Sequence, residues 1–171
     1  MDTYLAIASR REGRSYADRT IEPDAERRIL DAGRLAGSAM NDQPWRFVAV
    51  SGRGQLRDLS ETVYAKDNVA GAPLAVAIVV PAGDGWQVFD AGRATQNMLL
   101  EAWDEGVAGS PNGVADAARA REILGLGEDD EIAIVLSLGY PPEPAHPESR
   151  SAEEWSASAN RRPLDETVVR S

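Results

Sequence analysis

Three guanidinium groups stand within five positions, at Arg10, Arg11 and Arg14, in a chain whose formal net charge is −10. Such a cluster makes a local positive field in an acidic molecule, and arginine forks bind phosphate or carboxylate oxygens bidentately. Gly13 between them allows close backbone approach. The competing reading is a solvated helix end with salt bridges to Glu12 or Glu22. A second cluster is Gly37-Ser38-Ala39-Met40-Asn41-Asp42-Gln43-Pro44-Trp45. Asn41 and Gln43 carry the donors and acceptors needed to read the edge of a planar heterocycle. They could equally satisfy their own backbone, with Trp45 in the core. Asn112-Gly113 could aim backbone N–H groups at a ligand, although it is also an ordinary turn dipeptide. A last pair, Arg161 and Arg162, lies in Asn160-Arg161-Arg162-Pro163-Leu164, where a solvated tail is the default.

Other chemistry lacks its residues. There is no cysteine, and His146 is the only histidine, so thiolate metal sites are excluded and a zinc site or Ser-His-Asp triad has little to be built from. No phosphate-binding P-loop, strand-linked G-x-G-x-x-G or H-E-x-x-H motif is present. The acidic balance repels a phosphodiester backbone, which argues against a nucleic-acid partner. No apolar run reaches the ~18 residues a membrane span needs, and the start Met-Asp-Thr-Tyr lacks a basic region followed by an apolar core. The expectation is a cytoplasmic protein with no membrane partner.

The elements that must position these groups are short. With 171 residues, the chain has the length of one domain. Tyr4–Ala8 reads as a helical turn. Pro23 suits the first position of a helix with Asp24 and Glu26 in its first turn, and Gly37 is a plausible stop. Arg46–Val50 and the apolar runs Leu74–Val80 and Ile132–Leu138 read as strands. Leu56, Leu59 and Val63 mark one helix. Asp90 looks like the N-cap of a longer one running to about Gly106, and Gly106–Gly113 reads as loop. Val114–Leu124 follows as a helix closed by Gly125. The fold class is α+β, with residues 1–140 as core and 141–171 as an extension. This tail carries Trp155 and ends near Val168-Val169, so it is either partly disordered or an arm laid on a second subunit.

In order and spacing these pieces resemble the nitroreductase family of FMN-dependent flavoproteins. Arg10-Arg11-Glu12-Gly13-Arg14 is similar to its Arg-Arg-Ser-x-Arg-like opening, and Ser38 through Phe47 to its Ser-x-x-Asn-x-Gln-Pro-Trp-x-Phe segment. Asp90, Gly92, Gln96 and Asn97 match its Asp-x-Gly-x-x-x-Gln-Asn helix. Gly139-Tyr140-Pro141 and Arg161 to Leu164 match two later pieces. The resemblance implies a nitroreductase-like FMN-binding fold: a central, mainly antiparallel sheet flanked by helices, in an interlocked homodimer with a C-terminal arm. It implies NAD(P)H as co-substrate, small electron-poor acceptors (nitroaromatics, quinones or enones) and ping-pong hydride transfer, with the flavin and no side chain carrying the chemistry. Dehalogenase or azoline-oxidase chemistry, or flavin binding without turnover, are the alternatives on the same fold.

By matching positions, the cofactor contacts would be Arg10, Arg11, Glu12, Arg14, Ser38, Ala39, Asn41, Gln43, Asn112, Gly113, Arg161 and Arg162. Arg10 and Arg161 would meet the phosphate, and Arg14 the pyrimidine side. Ser38 would come from the partner subunit, and a backbone N–H of Asn112-Gly113 would reach flavin N5. Gly92 and Ala94 could let the Asp90 helix pack against its dimer mate. Two departures stand out: Glu12 replaces a serine, and Ala39 removes a hydroxyl. Between Ser51 and Ala72 the chain is short, leaving Tyr64, Lys66 and Asn68 as candidates for a further flavin contact.

Overall fold

The computed structural model describes residues 1–83 and 85–170. Four strands form one antiparallel sheet in the order β1-β2-β4-β3: β1 (Arg46–Val50), β2 (Leu74–Pro81), β3 (Ala108–Asn112) and β4 (Asp130–Gly139). β2 and β4 are central, and a register shift falls between Ile78 and Val79. Because side chains alternate across a strand, β2 feeds two cores. Leu74, Val76, Ile78 and Val80 join Leu136 and Leu138 on one face. Ala75, Ala77 and Val79 join Ile132 and Val135 on the other. The continuous apolar runs seen in the sequence therefore mean burial on both faces.

The first face is covered by α2 (Pro23–Arg34) and α5 (Trp86–Asp104), which bring Ile29, Ala94 and Met98 to the core. The second is covered by α3 (Arg53–Ser60), α4 (Lys66–Ala70) and α6 (Ala117–Leu124), which bring Leu56, Leu59, Val69 and Ala120. Pro23 begins α2 with Asp24 and Glu26 in its first turn, as expected. Gly125 closes α6 in the left-handed conformation. At the N-terminus, α1 (Thr3–Ser9) packs against α7 (Ala152–Ser158) from the tail, and a short α8 (Leu164–Thr167) follows. Among the described residues no helix is long and apolar enough to cross a membrane.

Several expectations are corrected. α2 ends at Arg34 with Leu35 as C-cap, before Gly37. Asp90 does not cap α5, which starts at Trp86 with Gly85 before it; the buried carboxylate caps another turn, described below. The supposed loop Gly106–Gly113 contains β3, whose glycine, serine, proline and asparagine read as loop. It survives as an edge strand, the position where proline is tolerated, with Pro111 opposite Leu136. α6 begins only at Ala117, capped by the Asp116 side chain. Of the two small residues expected at a dimer contact, Ala94 lies in the chain's own core and Gly92 is exposed. Within the tail, residues 152–158 form α7, started by the reciprocal Ser151–Glu154 capping box.

Candidate functional site

The arginine segment leaves α1 and runs beside β3. Glu12 bridges to Gly109, and the Gly13 amide donates to the Gly109 carbonyl at 3.1 Å. Contact here is close enough to require glycine: a Cβ on Gly13 would lie 2.3 Å from the Ala108 Cβ. Tyr16 then donates its hydroxyl to the Gly13 carbonyl at 2.8 Å, and the Ala17 amide donates to the Tyr140 carbonyl at 2.8 Å. The backbone on both sides of Arg14 is thus pinned.

The three arginines have different fates. Arg10 donates to Glu12 at 3.1 Å, its side chain 18% exposed. Glu12, the acidic departure, therefore turns toward Arg10 and not Arg11, which is one of the ion pairs the solvated-helix-end reading allows. Arg11 donates to the carbonyls of Ala8 (2.8 Å) and Arg10 (3.0 Å) at the C-terminal end of α1. It also donates to the Trp155 carbonyl (3.3 Å) and stacks on the Trp155 ring at 5.1 Å. Arg150 stacks on the same ring at 4.9 Å. Arg11 is thereby an anchor for the tail. Arg14 is exposed and, among the described residues, makes no hydrogen bond or ion pair.

The Ser38–Gln43 segment is a strained turn. Met40, Asn41 and Gln43 all have positive φ (51°, 61° and 51°), an unusual density for non-glycine residues, of a kind that clusters at functional sites. Asp90 holds it: one carboxylate oxygen accepts from the Ala39 amide at 3.0 Å and the other from Arg93 at 3.3 Å. Ser38 Oγ accepts from the Gln43 amide at 2.9 Å, and Gln43 Nε2 donates to the Asn41 carbonyl at 3.1 Å. Gln43 thus satisfies local backbone, while the exposed Asn41 side chain is unpaired among the described residues. Trp45 is buried, and a groove of about 700 Å³ opens beside it, lined by Leu30, Phe47 and Gln43 with Arg27 and Arg34. None of the N-terminal arginines reaches that groove.

Asn112 is buried in β3. It donates to the carbonyls of Ser110 (2.9 Å) and Val135 (3.1 Å) and to Ser137 Oγ (3.1 Å), and it accepts from Asn68 at 2.9 Å. Its side chain is fully engaged, so any ligand contact here falls to the backbone. The next residue, Gly113, accepts from the Tyr64 amide at 3.0 Å, and its own amide meets no acceptor among the described residues. Tyr64 is 79% exposed. Asn68 is buried in the polar network, and Lys66 pairs with Glu61 at 2.5 Å. Arg161 and Arg162 are exposed and unpaired among the described residues. No hydrogen bond or ion pair among the described residues joins the N-terminal arginines, the Ser38–Gln43 turn and the tail arginines within one chain.

Tyr16, Ser137 and the roles of Trp155 and Asp90 escaped the reading of the sequence. Ser137 left a signal, as a hydroxyl inside an apolar strand that must find a partner when buried. Burial pushes the Tyr16 phenol up to about 12, so it stays a donor.

The nitroreductase family model matches residues 7–74 and 53–140. The chain belongs to the nitroreductase family. Among family relatives, a protein of Archaeoglobus fulgidus provisionally named NADH dehydrogenase/NAD(P)H nitroreductase is 36% identical over 145 residues, covering 79% of this chain and 83% of the relative. A protein of Methanothermobacter thermautotrophicus with the same provisional name is 32% identical, covering 84% and 79%. The crystal structure of a provisionally named nitroreductase from Desulfovibrio desulfuricans in complex with FMN superposes with a TM-score of 0.84 at 26% identity, over 100% of this chain and 98% of that one. The nitroreductase fold expected from the sequence, with its antiparallel sheet and flanking helices, is the fold observed.

Proposed function

We propose that this nitroreductase-family chain binds FMN and uses NAD(P)H to reduce electron-poor acceptors such as nitroaromatics, quinones or enones. The observation that carries the reading is Arg14: an exposed guanidinium, unpaired among the described residues, on a backbone pinned from both sides, in a chain of net charge −10. Further support comes from the relative crystallised with FMN and the names of the archaeal relatives.

The donors present fit FMN by their chemistry. Arg10 and the tail arginines Arg161 and Arg162 suit a phosphomonoester. The Gly113 N–H, lacking an acceptor among the described residues, suits a ring nitrogen. Asn41 offers a free carboxamide, and Ser38 and Ala39 hold the turn that presents it. A bound flavin would supply the redox chemistry between reduced nicotinamide and the acceptor. Arg14 favours the negative charge that reduction places on the pyrimidine edge. Glu12 would share Arg10 with a bound phosphate, and Arg11 acts at one remove by anchoring the tail.

The dispersal of these groups over one chain favours a site completed by a second copy, with the Ser38–Gln43 turn of one protomer facing the arginines of the other. Exposed Met40 (94%), Phe89 (61%), Leu164 (73%) and Val169 (93%) are surface that such a homodimer would cover. Steady-state kinetics test the reading. Varying NADH or NADPH against a quinone or nitroaromatic should give parallel double-reciprocal lines. Absence of donor oxidation with every acceptor, in protein loaded with FMN, would remove the activity.

A further inference from the structure

One file of hydrogen bonds, running through a branched buried network, crosses the interior from α4 to the arginine segment. Asn68 Nδ2 donates to Asn112 Oδ1 (2.9 Å), and Asn112 Nδ2 donates to Ser137 Oγ (3.1 Å). Ser137 Oγ lies 2.9 Å from the Tyr16 hydroxyl, which donates to the Gly13 carbonyl at 2.8 Å. When Ser137 donates to Tyr16 and not to the Ser110 carbonyl at 3.3 Å, and Tyr16 donates to Gly13 and not to the Ser137 carbonyl at 3.2 Å, every step of this path points the same way, from Asn68 to the Gly13–Arg14 peptide. Bonds aligned in that manner polarise one another and strengthen in a low dielectric. Ser110, Asn112 and Ser137 are buried to 2% exposure or less, so these bonds lie where each weighs more than it would in water.

The two ends matter. One end is the carbonyl of the peptide whose N–H belongs to Arg14. Near the other, Asn112 immediately precedes Gly113, whose amide is unsatisfied. The file therefore ties the free cation to the free donor through the sheet interior. We infer that Tyr16, Ser137 and Asn112 are positioning residues that set the placement of Arg14 relative to the Gly113 amide, and with it the balance between oxidised and reduced flavin. This rests on the FMN reading above. Tyr16 touches neither free group directly; it acts by holding the Gly13–Arg14 peptide.

Tyr16→Phe removes the hydroxyl at the end of the file, and Ser137→Ala breaks its middle with little change of volume. In apo-protein, hydrogen exchange at the bonded amides of Gly13 and Ala17 should speed up at least tenfold in both variants while β2 is unchanged. In FMN-loaded protein, both should bind reduced FMN about tenfold more weakly relative to oxidised FMN. That ratio lowers the two-electron midpoint potential by about 30 mV. A purely structural role would weaken both redox states alike and leave the potential in place. Folded variants with wild-type exchange and potential overturn the inference. Wild-type protein that takes up no FMN overturns the functional reading instead, and with it this role for the file.

Discussion

Gly13→Ala tests whether the arginine segment is held by contact with β3. The new Cβ would stand 2.3 Å from the Ala108 Cβ, so the backbones must separate by about 1.2 Å or more to reach the ~3.5 Å at which carbon atoms attract. Overpacking of that kind costs ~1–3 kcal/mol. The same movement breaks the 3.1 Å bond from the Gly13 amide to Gly109, adding about 1 kcal/mol. A total near ~3 kcal/mol lowers the unfolding midpoint by about 6–12 °C in a domain of this size. The relief is specific. With Ala108→Gly present, the nearest remaining atoms are the Ala108 backbone carbons at 3.4 and 3.5 Å, an ordinary contact. Thermal unfolding followed by circular dichroism on the four proteins of the cycle should show the double variant more stable than Gly13→Ala, despite the ~1 kcal/mol a strand glycine costs. Strictly additive losses, or a Gly13→Ala protein as stable as wild type, would refute the contact.

Arg14→Ala should leave the melting curve within about 0.5 kcal/mol of wild type, because the side chain has no partner to lose. It should nonetheless weaken FMN binding by ~1.5–3 kcal/mol in a fluorescence titration. Trp155→Ala removes two arginine stacks and the 2.7 Å bond from Nε1 to the Pro147 carbonyl. The expected loss of tail docking is ~2 kcal/mol, seen as faster tryptic cleavage at Arg150 or Arg161 with the core intact. Alkali probes Tyr16, whose folded-state pKa of about 12 exceeds the ordinary 10.0. Unfolded chains release the phenolic proton first, so its contribution is complete below pH 10 and lost as pH rises through 12. Wild type should lose ~2 kcal/mol of stability over that window beyond what Tyr16→Phe loses; parallel curves would place the phenol in solvent.

The sequence was most legible where one local signal suffices. The apolar runs of β2 and β4 and the proline start of α2 declare themselves by composition. β3 does not, because its five residues are strand only through pairing with β4 and contact with the arginine segment. Asp90 was recognisable as a carboxylate near a helix start, but its acceptor role goes to Ala39, 51 positions away. At the candidate site, residue types and spacing named the family, while the state of each residue was hidden. That Arg11 is engaged depends in part on Trp155, 144 positions distant. The pinning of Gly13 depends on a tyrosine bonded across 121 positions to Ser137.

The most direct measurement is the visible absorbance of the purified protein, before and after incubation with FMN and gel filtration. Flavin bands at close to one FMN per chain, diminished in Arg14→Ala, are the predicted result. A colourless protein that elutes without flavin after saturation would contradict the account at its root.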